Sequence, residues 1–148
     1  MSRMPRYAKL LIGLAAALLA GWIGHGPLGQ GEAFVASLET QARAEIREAA
    51  VAGVEVRFPH DPLRREAILS GPANDFQREG QGLYPGINDR MLAVPGVAGL
   101  TWVDSGPVAG RVLRMPLLAE TELLVLGFFL LGVAIGRLLF RPRREHFL

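Results

Sequence analysis

Apolar positions along this chain fall into two dense blocks, one toward each end, with a middle segment in which they alternate with polar ones. Leu10 to Gly24 reads LLIGLAAALLAGWIG without a charge, and Leu123 to Phe140 reads LLVLGFFLLGVAIGRLLF, interrupted only by Arg137. With Tyr7, Ala8 and a snorkelling Lys9 extending the first block, these runs predict transmembrane helices over 10–26 and 117–140. The eighteen residues of the second block rise about 27 Å as a helix, enough for a span. Glu120 and Glu122 stand at its start, where the helix dipole favours carboxylates. A cleaved signal peptide shares the basic start and apolar stretch of the first block. Its candidate cleavage residues, Gly24 and Gly26, lead straight into Pro27.

Between the blocks the period changes twice. From Gln30 to Ala52, Phe34, Leu38, Ala42, Ile46 and Ala50 recur every four residues, joined by Val35 and Ala49, which predicts an amphipathic helix ending at Gly53. Glu39 and Arg43 have the order that favours an i,i+4 ion pair. Val54, Val56 and Phe58 then alternate with Glu55 and Arg57 as in a half-buried strand, and PHDP (59–62) turns the chain. A second strand is expected over 63–70, with Ala67 and Leu69 on one side, stopped by Ser70, Gly71 and Pro72. Phe76, Leu83, Ile87 and Met91 give the next stretch an apolar helical face. Pro85 and its neighbouring glycines must break it, into helices over 73–82 and 86–93. After Pro95 and Gly96, residues 97–103 predict a third strand with Ala98, Leu100 and Trp102 on one face. The expected fold is a two-layer α+β domain over 30–104, in α-β-β-α-β order, small enough to be only marginally stable alone. A linker (105–116) leads to the second span.

Charge orients this plan. The chain carries 16 Lys and Arg against 14 Asp and Glu over 148 residues, and its pI near 9.7 comes from the tips. Arg3, Arg6 and Lys9 precede the first span, and Arg137, Arg141, Arg143 and Arg144 close the second, whereas the inner flank of the second offers only Arg111 and Arg114. The positive-inside rule then expects a cytoplasmic N-terminus (1–9), a basic cytoplasmic tail (141–148) and an external middle segment, which in a Gram-negative cell is periplasmic. The seven basic side chains also suit anionic lipid head groups at the cytoplasmic surface. Residues 10–136 carry a net negative charge, which excludes a nucleic-acid footprint on the domain. Without Cys there is neither a disulfide framework nor a thiolate metal site.

Two short motifs, REAILSGPANDF (65–76) and VPGVAGLTW (94–102), resemble the BON domain of bacterial envelope proteins. In that family a strand ending in a Leu-Ser-Gly-like turn leads into a helix, then Val-Pro-Gly-Val and a final strand. Leu69, Ser70 and Gly71 fill the first turn here, and Val94, Pro95, Gly96 and Val97 the second motif. The resemblance covers about residues 30–104. The whole arrangement, with GHGPLG after the first span, is similar to small membrane proteins and OmpA-family proteins of alphaproteobacteria such as sphingomonads. What it implies is a non-catalytic module that binds envelope phospholipids or partner proteins. The chain departs from the family where Gly80 to Gly86 interrupts the helix that BON proteins use for contacts, so lipid binding does not carry over cleanly to Arg78 or Arg90. The second span stands where a peptidoglycan-binding domain would follow.

The remaining motifs favour bland readings. Gly24, Gly26 and Gly29 match G-x-G-x-x-G, but leave a span and contain Pro27, so a membrane-exit turn explains them better than a dinucleotide site. His25, His60 and His146 are too scattered for a metal site and fit turns, and Asp75 with Glu79 is a pair of solvated like charges. No catalytic group, cofactor or metal is expected. Trp102 reads as core and Trp22 as an interfacial belt residue. Tyr84, with Pro85 and Gly86 in the helix break, is the candidate partner-binding anchor. Gly13, Ala17 and Gly21 on the first span and Gly132 and Gly136 on the second form small-residue faces, expected to meet as Gly13 with Gly136 and Ala17 with Gly132. The functional expectation is an inner-membrane-anchored envelope interaction or scaffold module. Membrane lipid and another envelope or integral-membrane protein are its expected partners, a homo-oligomer being possible. The alternative is an accessory subunit of a larger integral-membrane complex, held mainly through its spans.

Overall fold

The computed structural model describes residues 4–107 and 115–139. Two long helices, α1 (Arg6–His25) and α5 (Leu117–Leu139), flank a small region of mixed helix and sheet. That region comprises α2 (Gln30–Ala49), β1 (Glu55–Arg57), β2 (Glu66–Ser70), α3 (Asp75–Glu79), β3 (Gly80–Gln81), β4 (Tyr84–Pro85), α4 (Ile87–Ala93), β5 (Gly99–Trp102) and β6 (Gly106–Pro107).

Of the every-fourth-residue stripe of α2, Leu38, Ala42 and Ile46 are buried, joined by Val35, while Ala50 at its end is exposed. Phe34, at the margin of the stripe, stays exposed. The helix ends earlier than Gly53, because Ala50 adopts a left-handed conformation (φ 53°) and its N–H caps the Arg47 carbonyl. Glu39 and Arg43 form the expected pair at 2.7 Å.

The main sheet runs β1-β2-β5-β6. β1 and β2 pair antiparallel, with Val56 opposite Leu69, and β2 and β5 pair parallel, with Leu69 opposite Trp102 and Ala67 opposite Leu100. Period 2 then puts Val56, Ala67, Leu69, Leu100 and Trp102 on one face, where they close a single core with α2 and with Ile87 and Met91 of α4. A parallel β2–β5 pair needs a crossover, and α3, the β3–β4 hairpin and α4 supply it. β6 was not anticipated and falls inside the expected linker, of which 108–114 lie outside the described residues.

α1 and α5 are both long and apolar enough to cross a membrane, at about 30 and 35 Å. Neither is a core helix of the small region, since their apolar windows are 0% buried. They pack antiparallel along one seam and leave side chains such as Leu11, Leu19, Leu124 and Phe128 exposed elsewhere. The expected tail at 141–148 lies outside the described residues.

Candidate functional site

The stretch expected as a helix over 73–82 is a helix for only five residues. Asn74 caps α3: its Oδ1 accepts from the Gln77 N–H and its own N–H donates to Gln77 Oε1, both at 2.9 Å. Helix then stops at Gly80, which takes φ 74° and ψ −173°, a conformation essentially restricted to glycine. The chain turns back through Gly82 and Leu83 into a two-residue hairpin, with Gly80 opposite Pro85 and Gln81 opposite Tyr84. Gly82 at φ 61° supplies the positive φ that such tight loops need at their first position.

This hairpin corrects the apolar face drawn through Phe76, Leu83, Ile87 and Met91. Ile87 and Met91 are buried, but Leu83 is 96% and Phe76 55% exposed, because the reversal at Gly80 breaks the helical phase that would have aligned them. Tyr84 is 75% exposed, so its ring projects as the break suggested. Pro85 is exposed beside it, whereas Gly86 is buried and begins α4 as its N-cap. Phe76, Tyr84 and Pro85 rim a hollow of about 150 Å³ floored by Ala49, Val51 and Ile87. The hollow lies at the C-terminal end of α2, a helix length of about 30 Å from that helix's start beside α1.

The ground under the hairpin is stiff. Trp102 is 1% exposed and its Nε1 donates to Asn88 Oδ1 at 2.9 Å, which satisfies the one polar atom of a core indole. The Arg78 guanidinium stacks 4.0 Å over the Trp102 ring. It also donates to Asp104 at 2.5 Å, to Ser105 and to the Ala73 carbonyl. That hydrogen bond from Arg78 holds the Asp104 carboxyl below the usual carboxylate range, and the same contact raises Arg78. Arg78 therefore pins the α3 end to the strand below, and its donors are used within the fold. Arg90 faces Glu45 and Glu48 at 3.8 Å. The helix break pointed to Tyr84 as exposed, but not to Phe76 and Leu83 beside it or to Arg78 as the brace. The paired glycines 80 and 82 flanking a single residue were the available signal.

The small-residue faces of α1 and α5 come together only in part. A β-carbon on Gly13 would lie 3.5 Å from the Phe129 ring, and one on Gly21 would meet Glu122 and Val125, with Ala17 half-buried between them. Among the described residues nothing lies within 4 Å of such a carbon on Gly132 or Gly136, and Gly13 meets Phe129 instead, so the pairing of Gly13 with Gly136 and Ala17 with Gly132 is not formed. An aromatic knob, not a second glycine, fills the Gly13 hollow. Of the basic flanks, Lys9 and Arg137 are exposed at the helix ends remote from the small region. The side chain of Arg6, and all of Arg3, Arg141, Arg143, Arg144 and His146, lie outside what is described. Comparison of the chain with known protein families, with characterised proteins and with solved structures gives no match.

Proposed function

We propose that the protein is anchored in the bacterial inner membrane by α1 and α5, with both termini cytoplasmic, and holds a BON-like domain in the periplasm as a non-catalytic interaction module. Three observations support the membrane and family parts of this reading. The two apolar helices pack on each other along one narrow seam and leave their remaining surface uncovered, which suits lipid on all other sides. Lys9 and Arg137 both lie near the helix ends away from the domain, in keeping with a positive inner side. The motif glycines Gly71 and Gly96 take φ 126° and 102°, and a β-carbon on either would strike backbone of Gly53 or the Leu38 side chain. The BON-like turns are thus used as tight turns here.

The observation that carries the interaction role is the hairpin: Leu83 and Tyr84 are large, apolar-bodied and almost wholly exposed on a braced segment. Two neighbouring side chains of this size offer a partner apolar area, and a fixed backbone limits the entropy lost on binding. The test is recovery of partners from intact cells by crosslinking a tagged chain and purifying it in mild detergent. Tyr84→Ala should leave the circular dichroism spectrum unchanged and lower recovery about tenfold, the effect of a modest interface hot spot. Unchanged recovery in a folded variant removes Tyr84 from the site. A stoichiometric set of integral-membrane proteins that survives Tyr84→Ala would favour the accessory-subunit reading instead.

A further inference from the structure

The spans and the domain meet at a cleft whose chemistry the Tyr84 surface does not use. Leu117 opens α5 inside the domain core, 6% exposed, and its N–H donates to the Leu63 carbonyl at 2.8 Å. One turn later Glu120 enters the junction with only 10% of its side chain exposed. Its Oε2 accepts from Arg65 Nε at 2.6 Å, while its Oε1 is buried with no hydrogen-bond partner among the described residues. Arg65 is further engaged by the Gly96 carbonyl at 3.1 Å, so its charge is committed on the domain side. Glu122, two residues along and so on another face of α5, lies against Gly21 with both carboxylate oxygens buried and unpartnered among the described residues. A charged oxygen shielded from water and without a donor is costly, and a buried carboxylate is normally paired.

Glu120 faces a cleft of about 490 Å³. Gly21 and Gly24 hollow one wall on α1, and Phe34, Leu117 and Leu124 give apolar walls from α2 and α5. The site therefore combines an apolar slot with one carboxylate oxygen, Glu120 Oε1, that lacks a donor among the described residues, with His25 and Gln30 as the other polar side chains of the lining beside Arg65 and Thr121. Its place at the domain-proximal ends of both long helices is, in the two-span reading on which this inference rests, the boundary between lipid and water.

We propose that this junction cleft binds a phospholipid carrying a primary ammonium, of the phosphatidylethanolamine class, through Glu120. The ammonium brings three N–H donors and a positive charge to Glu120 Oε1. The glycerol and first methylenes of the acyl chains lie against Gly21, Gly24, Phe34 and Leu124. A choline head has the charge but no N–H to donate, and a glycerol head leaves the phosphate's negative charge facing that carboxylate. The cleft thus discriminates on donors and on sign together.

The experiment uses the full chain in nanodiscs of equimolar phosphatidylethanolamine, phosphatidylcholine and phosphatidylglycerol with identical acyl chains, and native mass spectrometry of the lipid retained. The wild type should keep phosphatidylethanolamine enriched about tenfold over each competitor, the scale of one charge-assisted hydrogen bond. Glu120→Gln should bring retention down to the bulk ratio. Gly24→Leu should do the same by filling the slot, since a β-carbon there meets nothing within 4 Å and α1 can accept the side chain. Circular dichroism checks the fold of each variant, and Gly24→Leu alone decides if Glu120→Gln does not fold. Retention at the bulk ratio in the wild type, enrichment of phosphatidylglycerol, or enrichment that survives Gly24→Leu overturns the proposal. So does a co-purified membrane protein that Gly24→Leu displaces while lipid stays at the bulk ratio. Alkaline carbonate extraction separates the two levels: a chain released from membranes overturns the two-span reading and this site together, and an embedded chain without lipid preference overturns only the site.

Discussion

His60 stands between two carboxylates of α2, with its Nδ1 2.6 Å from Glu32 and its Nε2 3.6 Å from Glu39. A neutral imidazole has one donor and one acceptor, so only the cation faces both acids favourably. The hydrogen bond to Glu32, chiefly, raises the His60 pKa above its usual value, against a smaller opposing effect of desolvation. A raised pKa in the folded state contributes stability that is fully present below the unfolded value of about 6.5 and disappears as pH climbs through the folded one. The hold of the 59–63 turn on α2 should accordingly weaken as pH rises above about 6.5. Amide exchange at the start of α2, corrected for intrinsic rates, should show more frequent opening at the higher pH, and His60→Gln should flatten that dependence. A profile that is the same in wild type and variant would show that the pair is inert, as many exposed pairs are. Nothing in the sequence pointed to this triad, because its members are 28 and 21 residues apart and are joined only by the return of the chain past α2. Trp102, in contrast, was legible as core from its place in an alternating run. Its Asn88 partner was not, since an amide on a helix turns inward only once the sheet is in position.

Within the elements, the crossover hairpin depends on the difference between two glycines. Gly80 lies in a glycine-only region, and a β-carbon there would collide with the Tyr84 carbonyl and the Gly86 nitrogen across the hairpin. Gly82 has a left-handed φ of 61° but open space around it. Gly80→Ala should thus cost about 3 kcal/mol in unfolding free energy, strain and collision together, and Gly82→Ala nearer about 1 kcal/mol. Denaturant titrations of the two variants measure the contrast, and equal costs would mean that the collision is relieved by a small backbone shift. The same comparison explains what the pattern of the chain could and could not reveal. The stripe Val35, Leu38, Ala42, Ile46 and the alternation Val54, Val56 are local periodicities tied to one face, and they emerge as α2 and β1. The β3–β4 hairpin has two residues per strand, too few to display a period, and it interrupts a segment whose apolar spacing fits a helix. Pro85 and the glycines signalled a break, but a break can be a kink or a reversal. The left-handed φ values that separate these appear only in the backbone.

At the scale of the molecule, the question is what sets the register of α1 against α5. Matching the basic flanks and the glycines suggests that Gly13 meets Gly136, yet Gly13 faces Phe129 and Gly21 faces Glu122 and Val125. The difference of seven residues is about 10 Å along a helix axis. The cause lies in the domain. α5 begins within the core at Leu117 and is tied by the Arg65–Glu120 pair, while α1 leads into α2 through the short turn 26–29, so both helices are fixed at the same end before their glycines can choose partners. From that end, counting outward brings Phe129 level with Gly13, and Gly136 reaches only the first turn of α1. In this Cys-free chain, cysteines at 13 and 129 should crosslink within one molecule when membranes are treated with a short bifunctional thiol reagent, and cysteines at 13 and 136 should not. If domain anchoring sets the register, Arg65→Ala should loosen it and allow some 13–136 product, because one of the ties at the fixed end is lost. Efficient 13–136 crosslinking in the unaltered background would mean that the glycine faces choose the register after all. Products formed only between molecules would assign the seam to an oligomer.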